Sequence, residues 1–201
     1  MWTPRNYLSF SSMALYEKNP EEWKNRYLHD IEQRVSQNMA LGSALADSLE
    51  SGEATGDPVL DLMASKLTKY ELRDESIQAT LPDKKRPITI LIKPDTCKKD
   101  MSALIEYKSS VRQWTQKMAD ESATKGQTCY YAMGIWLITK KIPDIKFQIV
   151  ETEYAEAGRV QPTGRIYSIQ TKTSLPDILR MTKRARNTWA RIEEKCESEL
   201  L

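Results

Sequence analysis

Hydrophobic and polar positions along the chain change period several times, and each change marks an element. After Ser9, Ser11 and Ser12, any of which can cap a helix, Met13, Leu15 and Tyr16 predict a short helix over 9–18. Asn19-Pro20-Glu21-Glu22 starts a second helix, with the cap, the proline and the acids in their preferred first-turn places. Trp23, Tyr27 and Ile31 then step by four and predict one apolar, core-facing stripe. Residues 38–50 read as a helix with small residues at Gly42 and Ala46, suited to close packing. A turn-rich stretch over 51–58 leads to a helix capped by Asp57, with Pro58 first and Leu60, Met63, Ala64 and Leu67 on its buried face.

The period then becomes two. Glu71–Leu81 reads as a strand alternating at Ile77, Ala79 and Leu81, paired with Ile88–Ile92 through the tip PDKKRP. A second apolar run, Ala103–Ile105, follows. Residues of about 120–140 are the strongest helix by pattern, with Cys129, Met133, Ile135 and Trp136 in its stripe and Lys140-Lys141 at its end. Residues 146–154 and 165–171 read as strands that extend the sheet, joined by AEAGRVQPTG. Ser174-x-x-Asp177 opens a last helix whose apolar positions, Ile178, Met181, Ala185, Trp189 and Ile192, recur at helical spacing. The expected fold class is α/β: a mixed central β-sheet flanked by helices. The chain reads as a single domain over 1–201. Its parts are a helical N-terminal region (1–70), a sheet and helix carrying the chemistry (71–174), and an amphipathic basic C-terminal helix (175–201).

Composition narrows the class. At 201 residues and 40% hydrophobic, the chain is long enough for a sizeable core. The net charge of +2 neither demands nor excludes nucleic acid, because local patches matter more than the total. No apolar run approaches the ~20 residues that span a bilayer, and the start lacks the form of a signal peptide, so no membrane partner is expected. Cys97, Cys129 and Cys196 are odd in number and far apart. They read as reduced thiols in a cytoplasm. His29, the only histidine, sits among charged residues and reads as solvated.

The candidate chemistry lies in 87–108, PITILIKPDTCKKDMSALIEYK. Each of its two apolar runs ends at an acid: Asp95 closes the first, and Glu106 with Lys108 closes the second. The short connection suits neighbouring antiparallel strands, which would bring two carboxylates and an ammonium together at a sheet edge. Glu106 and Lys108 are two apart and share a face, whereas Tyr107 points to the other and offers only its backbone carbonyl. Two close carboxylates repel unless a cation sits between them, and Mg2+ or Mn2+ fits such an oxygen site. The grouping suits phosphodiester hydrolysis, with Lys108 placed to orient water or stabilise negative charge.

These residues resemble the PD-(D/E)xK nuclease superfamily: Pro94-Asp95 is the "PD" and Glu106-Tyr107-Lys108 the "ExK". Two more matches point to its RecB-like exonuclease branch. Gln127-Thr-Cys-Tyr-Tyr131 is similar to the branch's Q-x-x-x-Y, and Leu8-Ser-Phe-Ser11 with Asn19-Pro20 and Trp23 to its opening motif. The resemblance runs from about residue 8 to 131. It implies a restriction-endonuclease-like core and a stand-alone, phage-type DNA exonuclease in recombination or repair. It also implies a site of Asp95, Glu106 and Lys108 supported by Gln127 and Tyr131. Where the branch usually carries G-x-x-x-H, alignment on Gly42 gives Ala46, so a histidine ligand is missing, and Glu50, one turn on, is the candidate substitute. Some relatives hold an iron–sulfur cluster through four cysteines. With three in all, this chain is expected to hold none.

For DNA, Arg112 and Trp114 after the catalytic strand, Lys84, Lys85 and Arg86 at the hairpin tip, and Arg180 and Arg184 on the last helix are the candidate contacts. The resemblance admits a single-strand annealing or recombination protein as partner, and a homo-oligomer. The alternatives are a structure-specific endonuclease using the same residues, and a nuclease-like DNA-binding protein that no longer cuts.

Overall fold

A computed structural model describes residues 6–31, 37–156 and 159–198, without the side chains of 37–39 and 50. The N-terminal segment follows the capping signals. A short strand β1 (Leu8–Ser9) runs into α1 (Phe10–Lys18), where the Ser9 hydroxyl accepts from the Ser12 amide at 3.3 Å. Asn19 caps α2 (Pro20–Tyr27) by accepting from the Glu22 amide at 3.1 Å. Trp23 and Tyr27 are core residues, with Tyr16 edge-on to Trp23 at 5.3 Å. Ile31 leaves the expected stripe: α2 ends at Tyr27, and Ile31 is exposed. Helix α3 (Gln37–Ser51) and helix α4 (Pro58–Lys66) follow, the latter capped by Asp57 and burying Leu60, Met63 and Ala64 as the pattern predicts.

The α/β class is as expected, but the sheet is divided. β3 (Ile77–Leu81) and β4 (Ile88–Ile92) form the predicted antiparallel hairpin, and β1 lies parallel along the other edge of β4. A second sheet has the order β2-β5-β6-β7-β8: β2 (Leu72–Arg73), β5 (Thr96–Cys97), β6 (Ala103–Ser110), β7 (Asp144–Tyr154) and β8 (Val160–Thr171). The chain crosses between sheets in the three residues Lys93-Pro94-Asp95. Pro94 has no amide hydrogen for a ladder, and β4 cannot continue through it. Thus Ile88–Ile92 does not pair with Ala103–Ile105. The two-residue β5 does, with Thr96 opposite Ile105 and Cys97 opposite Leu104. The expected strand over Glu71–Leu81 is likewise split, its first part being β2.

Sequence pattern misplaces further boundaries: the strand expected over 165–171 begins at Val160, inside the stretch read as a connection. The helix expected over about 120–140 is two helices, α5 (Gln116–Lys125) and α6 (Gln127–Thr139), broken at Gly126. Gly126 is extended, and a Cβ there would sit 2.8 Å from the Ser122 backbone, so no other residue fits without movement. α6 is not amphipathic in its first half: Thr128 through Ile135 are all buried. Together α5 and α6 form the crossover that joins the parallel strands β6 and β7. The last helix, α7 (Leu175–Ser198), buries its predicted stripe, and Asp177 accepts from the Ser174 amide at 3.0 Å.

The main core gathers α1, α2, both sheets, α6 and α7. A smaller apolar cluster on the other face of the second sheet joins Leu45, Leu49, Leu60, Met63 and Leu67 of α3 and α4 to Val150, with Tyr107 packed against it. No helix among the described residues is long and apolar enough to cross a membrane.

Packing is close where α6 meets β4. A Cβ on Gly134 would lie 2.7 Å from Ile92 Cγ2, a side chain with no solvent exposure. Gly134→Ala is therefore expected to destabilise by about 1–2 kcal/mol, because overpacking outweighs the ~1 kcal/mol gain in helix propensity. A lower urea midpoint at unchanged m is the readout; equal or greater stability would contradict this packing.

Candidate active site

Asp95 lies just before β5, and its carboxylate takes the place of a ladder partner. Its Oδ2 accepts from the Tyr107 amide at 2.6 Å. β5 covers β6 only at Leu104 and Ile105. Beyond that point the edge of β6 meets the Asp95 side chain instead of a strand, and the acid sits beside Glu106. The strand itself continues to Ser110, so Glu106 and Lys108 lie inside β6, not at its end as the sequence pattern suggests.

Glu106 is 2% exposed and receives the Lys108 ammonium on Oε1 at 2.6 Å. The same ammonium donates to Gln127 Oε1 at 3.4 Å, and Gln127 Nε2 donates to the Tyr131 hydroxyl at 2.5 Å. Gln127 and Tyr131 occupy the first turns of α6, four apart on one face, so the helix start at Gly126 decides their reach. With Glu106 and Gln127 each taking one N–H, the ammonium retains a third donor. Tyr107 points the other way, as alternation requires, and its hydroxyl donates to the Thr68 carbonyl at 2.7 Å.

Electrostatics mark the pair of acids. Burial and the like charge of Glu106 push Asp95 up to about 7, against the opposing Tyr107 amide and Lys108. Burial works against the charged form of Lys108, but Glu106, by charge and hydrogen bond, and then Asp95 more than offset it, and its pKa is raised. Burial and Glu106 raise Tyr131, which stays a neutral phenol. The second Glu106 oxygen, Oε2, is buried and has no hydrogen-bond partner among the described residues. An unsatisfied buried carboxylate oxygen is costly, and here it adjoins a second carboxylate. A divalent cation that prefers oxygen ligands is the group this donor set fits. Among the described residues, no three Asp, Glu, His or Cys side chains group as metal ligands. Glu50, the candidate substitute for the missing histidine, has its side chain outside the described residues.

A cleft of about 190 Å3 opens beside Asp95, walled by Gly42, Leu45 and Ala46 of α3 and by the 69–74 segment. Ala46 thus lines the site, at the place where the resembling branch carries histidine. A carboxylate that sequence reasoning missed also lines it. Asp74 has φ +49, donates its amide to the Asp95 carbonyl at 3.1 Å, and holds Lys93 at 2.6 Å. Asp tolerates this left-handed conformation better than most residues, yet nothing in the spacing of Asp74 from Asp95 predicts their meeting.

The candidate DNA contacts fare unequally. Arg112 is exposed next to β6. Trp114, which looks exposed in sequence, packs on Phe147 with ring centroids 5.0 Å apart and anchors the connector. Lys84, Lys85 and Arg86 lie at the end of the β3–β4 hairpin away from Asp95, about 17 Å of strand distant. Arg86 is also bound there, donating to the buried Glu193 at 2.8 Å. On α7, Arg180 pairs with Asp177, while Arg184 donates to Glu17 at 3.0 Å and to the Lys125 carbonyl at 2.7 Å. Arg191 covers the Tyr16 ring, and Lys195 reaches Glu21 at 3.2 Å. Arg184, Arg191 and Lys195 staple α7 to the N-terminal helices, and Glu17 and Glu21, which Arg184 and Lys195 reach, lie far away in sequence.

No family model matches the chain, and no curated protein matches it. Solved structures do. A protein from Eubacterium rectale assigned as an exonuclease is similar with a TM-score of 0.55 at 13% identity, covering 94% of this chain and 82% of its own. A phage-related exonuclease from Haemophilus somnus 129PT is similar with a TM-score of 0.53 at 11% identity, over 92% and 83% of the two chains. The alkaline exonuclease of Laribacter hongkongensis has a TM-score of 0.50 at 13% identity, over 96% and 91%. At such low identity the likeness is one of architecture: over nearly its whole length, the chain has the fold of these exonucleases.

Proposed function

We propose that the protein is a divalent-metal-dependent DNA exonuclease that hydrolyses phosphodiester bonds. One observation carries the reading: the orphaned Oε2 of Glu106, buried beside an Asp95 whose proton affinity is raised by that same neighbour. Asp95, Glu106 and the Tyr107 carbonyl are the groups that would hold Mg2+ or Mn2+. The Tyr107 amide already points at Asp95, and within a strand the carbonyl of a residue leaves the same edge as its amide. Bound there, such an ion would polarise the phosphoryl oxygen and offset charge on the leaving oxygen. Glu106 fixes the Lys108 ammonium, and the free N–H of that ammonium is placed to orient the attacking water or steady the developing negative charge. Gln127 and Tyr131 act as positioning residues: each hydrogen bond in their chain restricts the Lys108 rotamer.

The three fold relatives are named exonucleases, which favours digestion from ends over internal cutting. Phage or bacterial recombination, with an annealing protein as partner, is the setting that the sequence resemblance adds. Ala46 beside the site keeps one rival in view, a DNA-binding protein that does not cut.

Glu106→Gln, nearly isosteric, is expected to lower cleavage of end-labelled linear DNA by about 10³-fold or more, with its melting transition retained. Wild-type protein should digest linear DNA in Mg2+ or Mn2+, stop in EDTA, and spare covalently closed circles. Cleavage of circles would replace exonuclease with endonuclease, and full activity in Glu106→Gln would remove the mechanism.

A pH dependence follows from Asp95. Its unfolded pKa is about 4 and its folded value about 7, so between these pH values the folded state binds more protons than the unfolded one. Stability of the metal-free protein is therefore expected to fall as pH rises from 5 to 8. Mg2+ at pH 8 should restore it, and Glu106→Gln should flatten the trend by removing the like charge. Urea midpoints across this range decide; a metal-free midpoint that climbs with pH would contradict the coupling of the two acids.

A further inference from the structure

The segment between α4 and β3 leaves one feature unexplained by the acids. Residues 68–74 have little regular structure, yet nearly every one is tied down. The Thr68 amide donates to Gln148 Oε1 at 2.8 Å, and its carbonyl accepts from the Tyr107 hydroxyl at 2.7 Å. Gln148 is itself buried, 4% exposed. The Tyr70 amide donates to Thr96 Oγ1 at 2.8 Å. Leu72 and Arg73 pair with Cys97 and Thr96, and Asp74 is held by the Asp95 backbone. Lys69 is pinned on both sides by these bonds, and Arg73 stands in register beside the catalytic segment.

Both side chains are exposed and line the same cleft as Asp95 and Lys108. Arg73 Nε donates to the Tyr70 carbonyl at 3.4 Å, and among the described residues its outer nitrogens have no hydrogen-bond partner. Among the described residues, neither cation pairs with a carboxylate, in contrast with Lys93 on Asp74 and Lys108 on Glu106. Among the described residues that line the cleft, Lys69, Arg73 and Lys108 outnumber Asp74 and Asp95. Clamping a loop lowers the entropic cost of holding a ligand, and unpaired cations on it select an anion.

We propose that Lys69 and Arg73 form a phosphate-binding wall of the cleft, engaging a phosphate of the nucleic-acid strand adjacent to the one at Asp95 and Glu106. The assignment rests on the nuclease reading for the position of the scissile phosphate, but the phosphate contact itself is testable without cleavage. Arg73 supplies a planar fork to phosphate oxygens and Lys69 a point charge. The wall contacts backbone, not bases, so it confers grip and register without sequence preference.

The test compares wild type with Lys69→Ala/Arg73→Ala, and with Lys69→Arg/Arg73→Lys as the charge-preserving control. Binding of a labelled single-stranded oligonucleotide is followed by anisotropy in EDTA, from low salt upward. Two lost phosphate contacts should weaken binding at least tenfold and reduce the slope of log affinity against log salt by about 1.4, and the control should keep the slope. Turnover is then measured on the same oligonucleotide and on thymidine 5′-monophosphate p-nitrophenyl ester, which carries a single phosphate. Selective loss of kcat/KM on the oligonucleotide, tenfold or more, with the ester within about twofold, is the expected result. An unchanged salt slope, no binding by wild type at low salt, or equal loss on both substrates would overturn the wall. Should wild type turn over neither substrate with Mg2+ or Mn2+, the nuclease reading fails, while the salt slope still judges the phosphate contact.

Discussion

A single hydrogen bond, from the Tyr107 amide to Asp95 Oδ2 at 2.6 Å, is the joint on which the site depends. It occupies the place where β5, had it been longer, would have continued its ladder along β6. Pro94 ends β4 and diverts the chain from one sheet to the other, and β5 lasts only through Thr96 and Cys97. The amide that this leaves on the edge of β6 must find an acceptor, since an unpaired buried N–H costs about as much as a lost hydrogen bond. Asp95 is that acceptor. Satisfying the backbone thus fixes a carboxylate against Glu106, and a constraint of sheet geometry becomes a constraint on chemistry.

From that joint the electrostatics follow. Two acids drawn together out of water repel, and each remaining feature of the site answers the repulsion. Lys108 neutralises one oxygen of Glu106, and Gln127 and Tyr131 steady the ammonium from α6. The other oxygen stays unsatisfied. A protein built only for stability would fill this position with an apolar pair or complete its hydrogen bonds, since a half-satisfied buried charge is among the costlier arrangements available. On the proposed reading, a divalent cation completes it.

The surroundings divide the cations into two uses. Several of those on α7 and the hairpin tip are spent on structure: Arg184 on Glu17 and Lys195 on Glu21 tie the last helix to the first ones, and Arg86 on Glu193 ties it to the hairpin. Those of 69–73 stand at the cleft on backbone that is itself held by Gln148, Tyr107 and Thr96. Charge density along the sequence does not separate these uses, because α7 is far richer in arginine than the loop.

Local chemistry determined most of the elements and which residue types meet at the candidate site. Ser9, Asn19, Asp57 and Ser174 announce their helices because capping is a short-range exchange of hydrogen bonds. Alternation puts Glu106 and Lys108 on one face because a strand has period two. The breaks at Gly126, where a Cβ would meet the Ser122 backbone, and at Pro94, which cannot donate to a ladder, are also local in cause, although the apolar pattern does not show them. What only the tertiary structure decided is longer in range. Asp74 reaches the cleft across an intervening hairpin, and acids that pair with α7 lie on α1, on α2, at the hairpin tip and within α7 itself. A sequence records which groups can pair within a turn or two, but partners separated by a hundred residues are chosen by packing, and there the surroundings of the site were settled.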